Sequence, residues 1–351
     1  MATSQKVARR MVVLTEGHSD PITAKTACSL IRYCPDEVVA VFDRQAAGRT
    51  SQGLLGLGGD IPVIGKLADA KAPDTLVIGI APSGGRIPPD WRPILLQAIE
   101  RRLNIVSGLH QFLSDDPEFA AAAKGANVQL IDVRRNAEND VASREGIRED
   151  CLRVQTVGND CCVGKMLTSI EVARGLSKIG QDARFVATGQ TGIMIAGDGC
   201  PIDCVVSDFV NGAAENLVRS NQHHDILVIE GQGTLSHPRY SAVTLGLLHG
   251  CMPHGLIMCY EAGRTRLHHM ESMPIISFRE LIAAYETMAN LMHPCRIIGI
   301  AMNSRLLSDE KATEERQRMR DEFELPVCDV VRHGPQDLVD AVLRLQAEMR
   351  P

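Results

Sequence analysis

The chain of 351 residues is longer than one typical domain and suits two. Its residues are 44% hydrophobic but only 3% aromatic, so the core must be built from aliphatic side chains, as in α/β proteins with buried parallel strands. The formal net charge of −6 and the lack of clustered Lys and Arg residues argue against binding to nucleic acid or to an anionic membrane surface.

Short apolar segments alternate with amphipathic ones through the first half, which is the pattern of repeated strand–helix–strand units. The predicted strands are residues 11–15, 38–42, 75–81, 104–107 and 128–132. The predicted helices are residues 23–33, 91–101 and 117–123. This order predicts a doubly wound, Rossmann-like sheet with ligands at the carboxyl ends of its strands.

Two turns after these strands carry candidate substrate-binding residues. Asp43 and Arg44 follow the second strand, where a Rossmann domain places the acid that binds a ribose. Ser83, Gly84 and Arg86 form a sharp turn after the third. No Gly-x-Gly-x-x-Gly follows the first strand, so we predict a degenerate Rossmann-like domain that shapes a substrate cleft.

The charged segment 134–149 has no apolar periodicity and is the predicted linker. It separates a Rossmann-like domain over residues 1–140 from a second doubly wound α/β domain, of the P-loop NTPase type, over residues 141–351. The second domain has predicted strands at 153–157, 184–188, 204–206, 225–230, 255–260, 274–277 and 296–302. Its predicted helices are 165–179, 209–221, 242–250, 278–292, 309–322 and 335–348.

A glycine-bracketed loop lies between the first strand and the first helix of the second domain. Such a loop surrounds an anion with backbone N–H groups and a lysine at a helix N-terminus, and so predicts a phosphate site. Five residues separate the two glycines, one more than in a standard Walker A motif, and this longer form resembles that of dethiobiotin synthetase. The predicted ligand-binding residues of this segment are Gly158, Asn159, Asp160, Cys161, Cys162, Val163, Gly164, Lys165 and Met166.

Met166 stands where P-loop enzymes place the Ser or Thr hydroxyl that ligates Mg²⁺ during phosphoryl transfer. Thr168 lies about 200° further round the helix and is a poor substitute. We therefore predict a loop that holds phosphates but has lost one metal ligand. Binding of a nucleotide-containing carrier such as coenzyme A needs this phosphate site and no hydrolysis.

The spacing of the cysteines bears on whether the chain has a metal site, and the amino-terminal sequence bears on where the protein is located. Eleven cysteines are scattered without a Cys-x-x-Cys pair, which predicts reduced, mostly buried thiols and no metal site. The first residues have no apolar run, and no segment is long and apolar enough to span a membrane. We expect a cytoplasmic homo-oligomer that acts on a small molecule.

Other predicted strand ends on the glycine-rich side carry polar residues. Gln190 and Thr191 follow one strand, in a segment of small residues that lets a ligand approach the backbone. Glu230 follows another, where P-loop proteins keep a carboxylate that orients metal or water. Asn303 follows a third, and its amide suits an adenine edge as well as it suits a turn.

Further candidates precede a helix or follow a strand of the second domain. His237 is a candidate proton carrier because histidine titrates near neutrality. Arg239, with the adjacent Tyr240, and Arg264 are candidates for binding a substrate carboxylate. Asp208 is a further candidate base.

Taken in order, these motifs resemble one family, which includes the bacterial D-glutamate N-acetyltransferases and was long described as a domain of unknown function. Its members pair an N-terminal Rossmann-like domain with a C-terminal P-loop domain. The resemblance extends over nearly the whole chain. The matching strings are 80–85 (IAPSGG), 107–110 (SGLH), 157–166 (VGNDCCVGKM), 186–192 (VATGQTG), 207–210 (SDFV), 230–233 (EGQG), 237–241 (HPRYS) and 244–250 (TLGLLHG).

The resemblance implies acetyl-CoA as the acyl donor, D-glutamate as the acceptor and a partner racemase or epimerase that acts on the N-acetylated product. It also implies that Met166 is a trait of the family. Asn159 and Leu167 depart from the pattern, because a threonine is expected at each position. Both departures weaken any hydroxyl contact with phosphate and leave the backbone of the loop intact.

We expect direct acyl transfer, with Glu230 or His237 as the base and Asp208 as the third candidate. Arg264, Arg239, Arg86 and Arg44 are the candidate partners for the two carboxylates of the acceptor. Two alternatives stay open: an ATP- and Mg²⁺-dependent ligase or kinase like dethiobiotin synthetase, and a non-catalytic nucleotide-binding protein.

Overall fold

The computed structural model describes residues 9–82 and 84–349 and divides the chain into two compact units. The first unit contains the described residues up to Arg135 and the segment Ile193–Cys204. The second contains Asn136–Gly192 and the described residues from Val205 onwards. The chain therefore returns to the first unit for a short stretch, which the sequence does not predict.

The first unit contains a parallel sheet flanked by helices. Its strands are β1 (Met11–Leu14), β2 (Val38–Phe42), β3 (Val63–Ile64), β4 (Thr75–Ile78), β5 (Asn104–Ser107) and β6 (Leu130–Asp132). Its helices are α1 (Lys25–Tyr33), α2 (Ser51–Leu55), α3 (Arg92–Glu100) and α4 (Pro117–Ala126). The order β3-β2-β1-β4-β5-β6 is the Rossmann order, which confirms the predicted fold and puts the ligand crevice at the carboxyl ends of β1 and β4.

The second unit also contains a parallel sheet with flanking helices. Its strands are β7 (Leu152–Gly158), β8 (Ala183–Val186), β9 (Ile226–Ile229), β10 (Gly255–Glu261), β11 (Arg266–Leu267), β12 (Met270–Pro274), β13 (Arg296–Asn303) and β14 (Val327–Cys328). Its helices are α5 (Lys165–Lys178), α6 (Gln190–Ala196, which continues into the first unit), α7 (Val210–Asn221), α8 (Ser241–Cys251), α9 (Phe278–Asn290), α10 (Asp309–Phe323) and α11 (Gln336–Met349). The sheet order is β14-β13-β10-β7-β9-β8, and β11 pairs with β12 separately. Fully buried β7 is thus central, and the glycine-rich loop follows it.

Two predicted strands differ from the structure. The predicted strand at 204–206 is wrong: Ile202–Cys204 is a 3-10 turn, and Val206 is exposed, so its short apolar run is not buried in a sheet. The predicted strand at 274–277 is instead β12, which ends at Pro274 and pairs antiparallel with β11. After β8, the segment of small residues that follows the strand begins α6 at Gln190, a helix that was not predicted.

The segment predicted as a linker is held firmly in the second unit. The fully buried Glu215 carboxylate of α7 accepts hydrogen bonds from the backbone N–H groups of Ser143 (3.2 Å) and Arg144 (2.9 Å). Gly212, one turn earlier, packs directly against the carbonyl oxygen of Asp140. The backbone of residues 140–144 is therefore fixed against α7 by specific contacts.

A buried charged cluster lies at the amino ends of β7, β10 and β13. The Arg153 guanidinium is fully buried and donates to the Met252 carbonyl oxygen (2.8 Å) and to Glu149 Oε2 (3.3 Å). The Arg153 backbone N–H donates to His254 Nδ1 (3.1 Å), and His293 Nε2 lies 3.0 Å from Glu149 Oε2. Burial lowers the pKa of His254 to about 3, with Arg153 and His293 acting in the same direction.

Among the residues described, no helix combines the length and apolar character required to cross a membrane.

Replacing Gly212 by Ala should destabilise the second unit, because the new Cβ would lie 1.9 Å from the Asp140 carbonyl oxygen. We expect a loss of about 1–3 kcal/mol in the free energy of unfolding, measured by urea denaturation. The matched control is Gly125→Ala in α4, where a Cβ meets nothing within 4 Å and should stabilise by about 0.5–1 kcal/mol. Equal effects of the two substitutions would contradict the close packing of α7 on the linker segment.

The pKa of His254 predicts a pH-dependent stability. Its pKa is lowered from 6.5 to about 3, so between these values the unfolded chain binds a proton that the folded protein excludes. The contribution is complete above the unfolded pKa and is lost as the pH falls through this window. His254→Asn keeps an acceptor for the Arg153 N–H but does not titrate. From about pH 7 to about pH 5, the free energy of unfolding measured in urea should fall by roughly 2 kcal/mol less in the variant than in the wild type. An identical pH dependence of the two proteins would exclude His254 as the cause.

Candidate functional site

The loop between β7 and α5 has the backbone conformation of a phosphate cradle. Gly164, the residue before α5, has φ +107°, and a Cβ there meets nothing within 4 Å. Cys162 adopts φ +58° although it is not glycine, and its side chain is exposed. The first N–H groups of α5, a helix of fourteen residues, lack helical partners and face the loop side, where an anion is favoured.

The Lys165 side chain passes between two glycines. Its Cδ atom is 3.4 Å from the position of a Cβ on Gly158 and 3.2 Å from that of a Cβ on Gly231. Gly231 also packs on the Thr156 carbonyl oxygen, which a Cβ would approach to 1.7 Å. The Lys165 Nζ donates to the Asp160 carbonyl oxygen at 2.7 Å. The ammonium group is therefore held inside the loop, beside the helix N-terminus.

The fully buried Asp160 carboxylate fixes the loop. Its oxygens accept from the backbone N–H groups of Cys161 (2.7 Å) and His268 (2.7 Å) and from Arg264 Nη1 (2.9 Å). Arg264 also donates to the Cys161 carbonyl oxygen and to Glu261 Oε2 (2.8 Å). The guanidinium predicted to bind a substrate carboxylate is therefore paired with two buried protein carboxylates, and its role in binding substrate stays a prediction.

No hydroxyl replaces Met166 on the first turn of α5. Met166 is half-buried, whereas Thr168 is 2% exposed and its Oγ1 accepts from the Cys259 thiol at 3.7 Å. Ser169 Oγ lies 3.0 Å from Thr156 Oγ1 and is also buried. The chemistry that this helix end offers to phosphate is N–H groups and an ammonium, without a side-chain oxygen for a metal.

Glu230 is buried beneath the start of α6. Its Oε2 accepts from the N–H groups of Thr188 (3.0 Å) and Gly189 (3.1 Å), and Gln232 Nε2 is 3.3 Å from Oε1. This carboxylate orients the loop that precedes Gln190 and Thr191, whose side chains hydrogen-bond to each other at 3.0 Å.

His237 lies close to the phosphate loop. Its Nδ1 accepts from the Arg239 N–H (3.2 Å), which leaves Nε2 as the protonated nitrogen, 3.4 Å from the His268 carbonyl oxygen. The ring is fully buried, and that of the exposed Tyr240 packs against it with centroids 4.6 Å apart. A proton role for His237 needs a local movement that uncovers the ring.

Three candidate residues of the second unit remain. Asp208 is exposed in the 3-10 turn that precedes α7. Asn303 ends β13, and its Oδ1 accepts from the Arg305 N–H at 3.3 Å, which is the contact of a turn residue. Asn159 is buried, and its Oδ1 has no hydrogen-bond partner within residues 9–82 and 84–349, so it is available to a donor group of a ligand.

Groups with metal-ligand chemistry occur at three places in the described chain: Glu149 with His254 and His293, His110 with Asp203 and Cys204, and Asp160 with Cys161 and His237. In the first group, His254 Nδ1 accepts a backbone N–H, so its Nε2 carries a proton and offers no lone pair to a metal. That group is satisfied as a hydrogen-bonded ion cluster.

In the first unit, Asp43 and Arg44 cap the carboxyl ends of β2 and β1. Asp43 is buried and accepts from Ser19 Oγ (2.5 Å) and the Gln45 N–H (3.0 Å). Arg44 Nε donates to Glu16 Oε1 at 2.6 Å. Both side chains thus have protein partners, and their binding to substrate stays a prediction.

A cavity of about 380 Å³ lies at the carboxyl ends of β4 and β5. Gly84, Arg86, His110 and Gln111 line it. Gly84 and Arg86 are predicted substrate-binding residues, whereas Ser83 lies outside the described residues. His110 was not predicted; its position at a strand end, within the motif 107–110, was the available signal.

Two family models match most of the chain. Residues 44–136 match the Rossmann-like domain DUF1611_N, and residues 139–339 match the P-loop domain DUF1611_C, each described as a domain of unknown function. The chain belongs to the DUF1611 family.

Relatives within this family have names and structures. A protein of Tritonibacter scottomollicae named D-glutamate N-acetyltransferase is 37% identical over 325 residues, covering 92% of this chain and 95% of the relative. One of a Pseudoalteromonas species with the same name is 38% identical over 76% of this chain and 80% of the relative. The crystal structure of a DUF1611 family protein from Anabaena variabilis has a TM-score of 0.90 and 37% identity, and covers 96% of this chain and 99% of that one.

Asp160→Asn should unfold the loop of this family member, because the amide cannot accept from all three donors and Arg264 loses one of its two ion pairs. Breaking a buried ion pair typically costs about 3–5 kcal/mol, measurable by chemical denaturation. The control is Asp150→Asn, whose partner Arg148 is at the surface, and we expect no measurable change in stability there. A loss no larger than that of the control would contradict the role of Asp160 as the fixed point of the loop.

Proposed function

We propose that this protein transfers the acetyl group of acetyl-CoA to the amine of D-glutamate or of a similar amino acid. The observation that carries the proposal is the loop before α5, where backbone N–H groups and Lys165 favour phosphate while Met166 offers no hydroxyl to Mg²⁺. A carrier that is bound by its phosphates and is not hydrolysed there fits this chemistry. Two relatives named D-glutamate N-acetyltransferase support the choice of reaction and acceptor.

In this proposal, the loop 158–165 and the start of α5 hold the diphosphate of coenzyme A. Lys165 Nζ exchanges the Asp160 carbonyl oxygen for a phosphate oxygen, and Arg264 keeps Asp160 in place during the exchange. The buried Glu230 keeps the segment from Thr188 to Thr191 against the same edge of the sheet. The thioester of the donor then supplies the acyl group directly to the amine.

The setting of this reaction is also proposed. The eleven cysteines, scattered without a Cys-x-x-Cys pair, support a reducing, cytoplasmic location. We further propose a homo-oligomer and a racemase or epimerase that consumes the N-acetylated product. Light scattering of the purified protein and a coupled assay with such an enzyme test these two points.

Replacing Lys165 by Ala should weaken the binding of coenzyme A by about 10- to 100-fold in calorimetry without Mg²⁺, because a charged hydrogen bond contributes roughly 1.5–3 kcal/mol. The matched control is Lys178→Ala at the exposed opposite end of α5, which should leave affinity unchanged. The wild type should release coenzyme A from acetyl-CoA when D-glutamate is added.

Two results would overturn the proposal. Mg²⁺-dependent release of phosphate from ATP would favour the ligase or kinase alternative. Binding of nucleotide without coenzyme A release, over a panel of D- and L-amino acids, would favour a non-catalytic binding protein.

A further inference from the structure

The cavity at the carboxyl ends of β4 and β5 contains one cationic and one imidazole side chain. Arg86 follows β4 and is exposed, whereas His110 and Gln111 follow β5. In a Rossmann-like sheet this edge, beside the reversal of strand order between β1 and β4, is where ligands bind. The position of the cavity is therefore that of a ligand site.

The two loops that form the cavity are fixed against each other. The Gln111 N–H donates to the Gly85 carbonyl oxygen, and the Ile87 N–H donates to Gln111 Oε1, both at 3.0 Å. Gly85 has φ +58°, and a Cβ there would lie 2.8 Å from the His110 backbone nitrogen. Only glycine allows this approach, which sets the position of His110 relative to Arg86.

Cys204 and Asp203 approach different ring nitrogens of His110. The Cys204 Sγ lies 3.3 Å from Nδ1, and Asp203 Oδ2 lies 3.9 Å from Nε2. Arg134 holds the Asp203 carboxylate through Nη2 (2.9 Å) and Nε (3.2 Å), and its Nη1 donates to the Gly108 carbonyl oxygen. Asp203 is therefore a fixed negative charge beside Nε2.

This arrangement suits a proton relay through the His110 ring. Here the carboxylate favours a proton on Nε2, which leaves the Nδ1 lone pair as the acceptor. The 3.9 Å separation is too long for a direct hydrogen bond, so Asp203 acts through its charge or through one water.

The protonation states of His110 and Cys204 suit a base at His110. Burial lowers the pKa of His110, Arg134 acts in the same direction and Asp203 opposes them, so the ring is neutral near pH 7. Burial raises the pKa of the Cys204 thiol to about 11, so that group is a neutral, weak S–H donor to Nδ1. An ammonium group is a stronger donor and displaces it.

We propose that this cavity is the acceptor subsite of the transferase, that Arg86 binds an acceptor carboxylate and that His110 removes a proton from the acceptor ammonium group. This inference rests on the proposed acetyl transfer. Asp203 and Arg134 are positioning residues that keep the His110 ring in the required tautomer.

The proton balance of the step is complete. The ammonium gives one proton to His110 Nδ1, and the resulting amine attacks the thioester carbonyl carbon. As the tetrahedral intermediate collapses, the new C–N bond remains, the C–S bond breaks and the nitrogen loses a second proton to solvent. The imidazolium then protonates the departing thiolate, which restores neutral His110 and releases coenzyme A.

The test compares His110→Gln with His223→Gln, an exposed histidine of the second unit, in the full chain. At saturating acetyl-CoA, His110→Gln should lower kcat/KM for D-glutamate by roughly 10²–10⁴-fold and remove the acidic limb of its pH profile. His223→Gln should match the wild type. Cys204→Ala should keep both turnover and the limb, and thermal melts establish that each variant folds.

Arg86 and Asp203 give independent readouts. Arg86→Ala should raise KM for D-glutamate and weaken its binding in calorimetry without changing the affinity for coenzyme A, whereas the exposed Arg101→Ala should change neither. Asp203 raises the pKa of His110, so Asp203→Asn should lower it in an NMR titration of labelled histidine and move the acidic limb to lower pH.

Different failures are distinguishable. Full activity and an unchanged pH profile in His110→Gln would overturn this inference and leave the transferase intact. Loss of turnover in Cys204→Ala, together with an acetyl group on Cys204 of the quenched wild type, would show that the Cys204 thiol carries the acyl group. The assignment of His110 as the base would then be wrong. If the wild type releases no coenzyme A with any amino acid, both the proposed function and the role of His110 as the base are wrong. Calorimetry with Arg86→Ala still decides whether the cavity binds the acceptor.

Discussion

The buried carboxylate of Asp160 is the contact on which the loop before α5 depends. It accepts from two backbone N–H groups and from Arg264, and Arg264 is in turn paired with Glu261. A charge that is removed from water is tolerated only when donors surround it, so Asp160 ties the loop to the segment after β10. The Asp160 carbonyl oxygen also accepts a hydrogen bond from Lys165. The side chain and the peptide group of Asp160 together therefore position the cationic groups of the site.

The loop separates two properties that usually occur together in P-loop proteins. Its backbone and lysine retain attraction for phosphate, whereas the first turn of α5 carries Met166 and directs the Thr168 and Ser169 hydroxyls into buried contacts. Phosphoryl transfer depends on a metal that bridges phosphate oxygens, but anchoring of a carrier does not. In the proposed function, Met166 at the start of α5 therefore favours anchoring of a carrier over phosphoryl transfer.

Each unit presents chemistry at the carboxyl edge of its own parallel sheet. In the first unit the edge carries a cavity with Arg86 and His110, and in the second it carries the phosphate loop. The proposed function assigns the acceptor to the cavity of the first unit and the phosphates of the donor to the loop of the second. In each unit a carboxylate lies beside a basic group: the half-buried Asp203 beside His110, and the buried Asp160 beside Arg264.

The sequence by itself determined the class of fold and the phosphate loop. Alternating apolar runs located most strands and helices, and the spacing of Gly158, Gly164 and Lys165 predicted the cradle, because these features depend on local backbone conformation. Only the tertiary structure decided which side chains are available to a ligand. Arg264, Glu230 and His237 pack against protein partners. His110 lies beside Asp203, which is 93 positions later in the chain. Asp203 belongs to a segment that returns to the first unit, and no sequence pattern predicts that return. Pairing and burial of charges depend on residues far apart in the chain, and no local pattern encodes them.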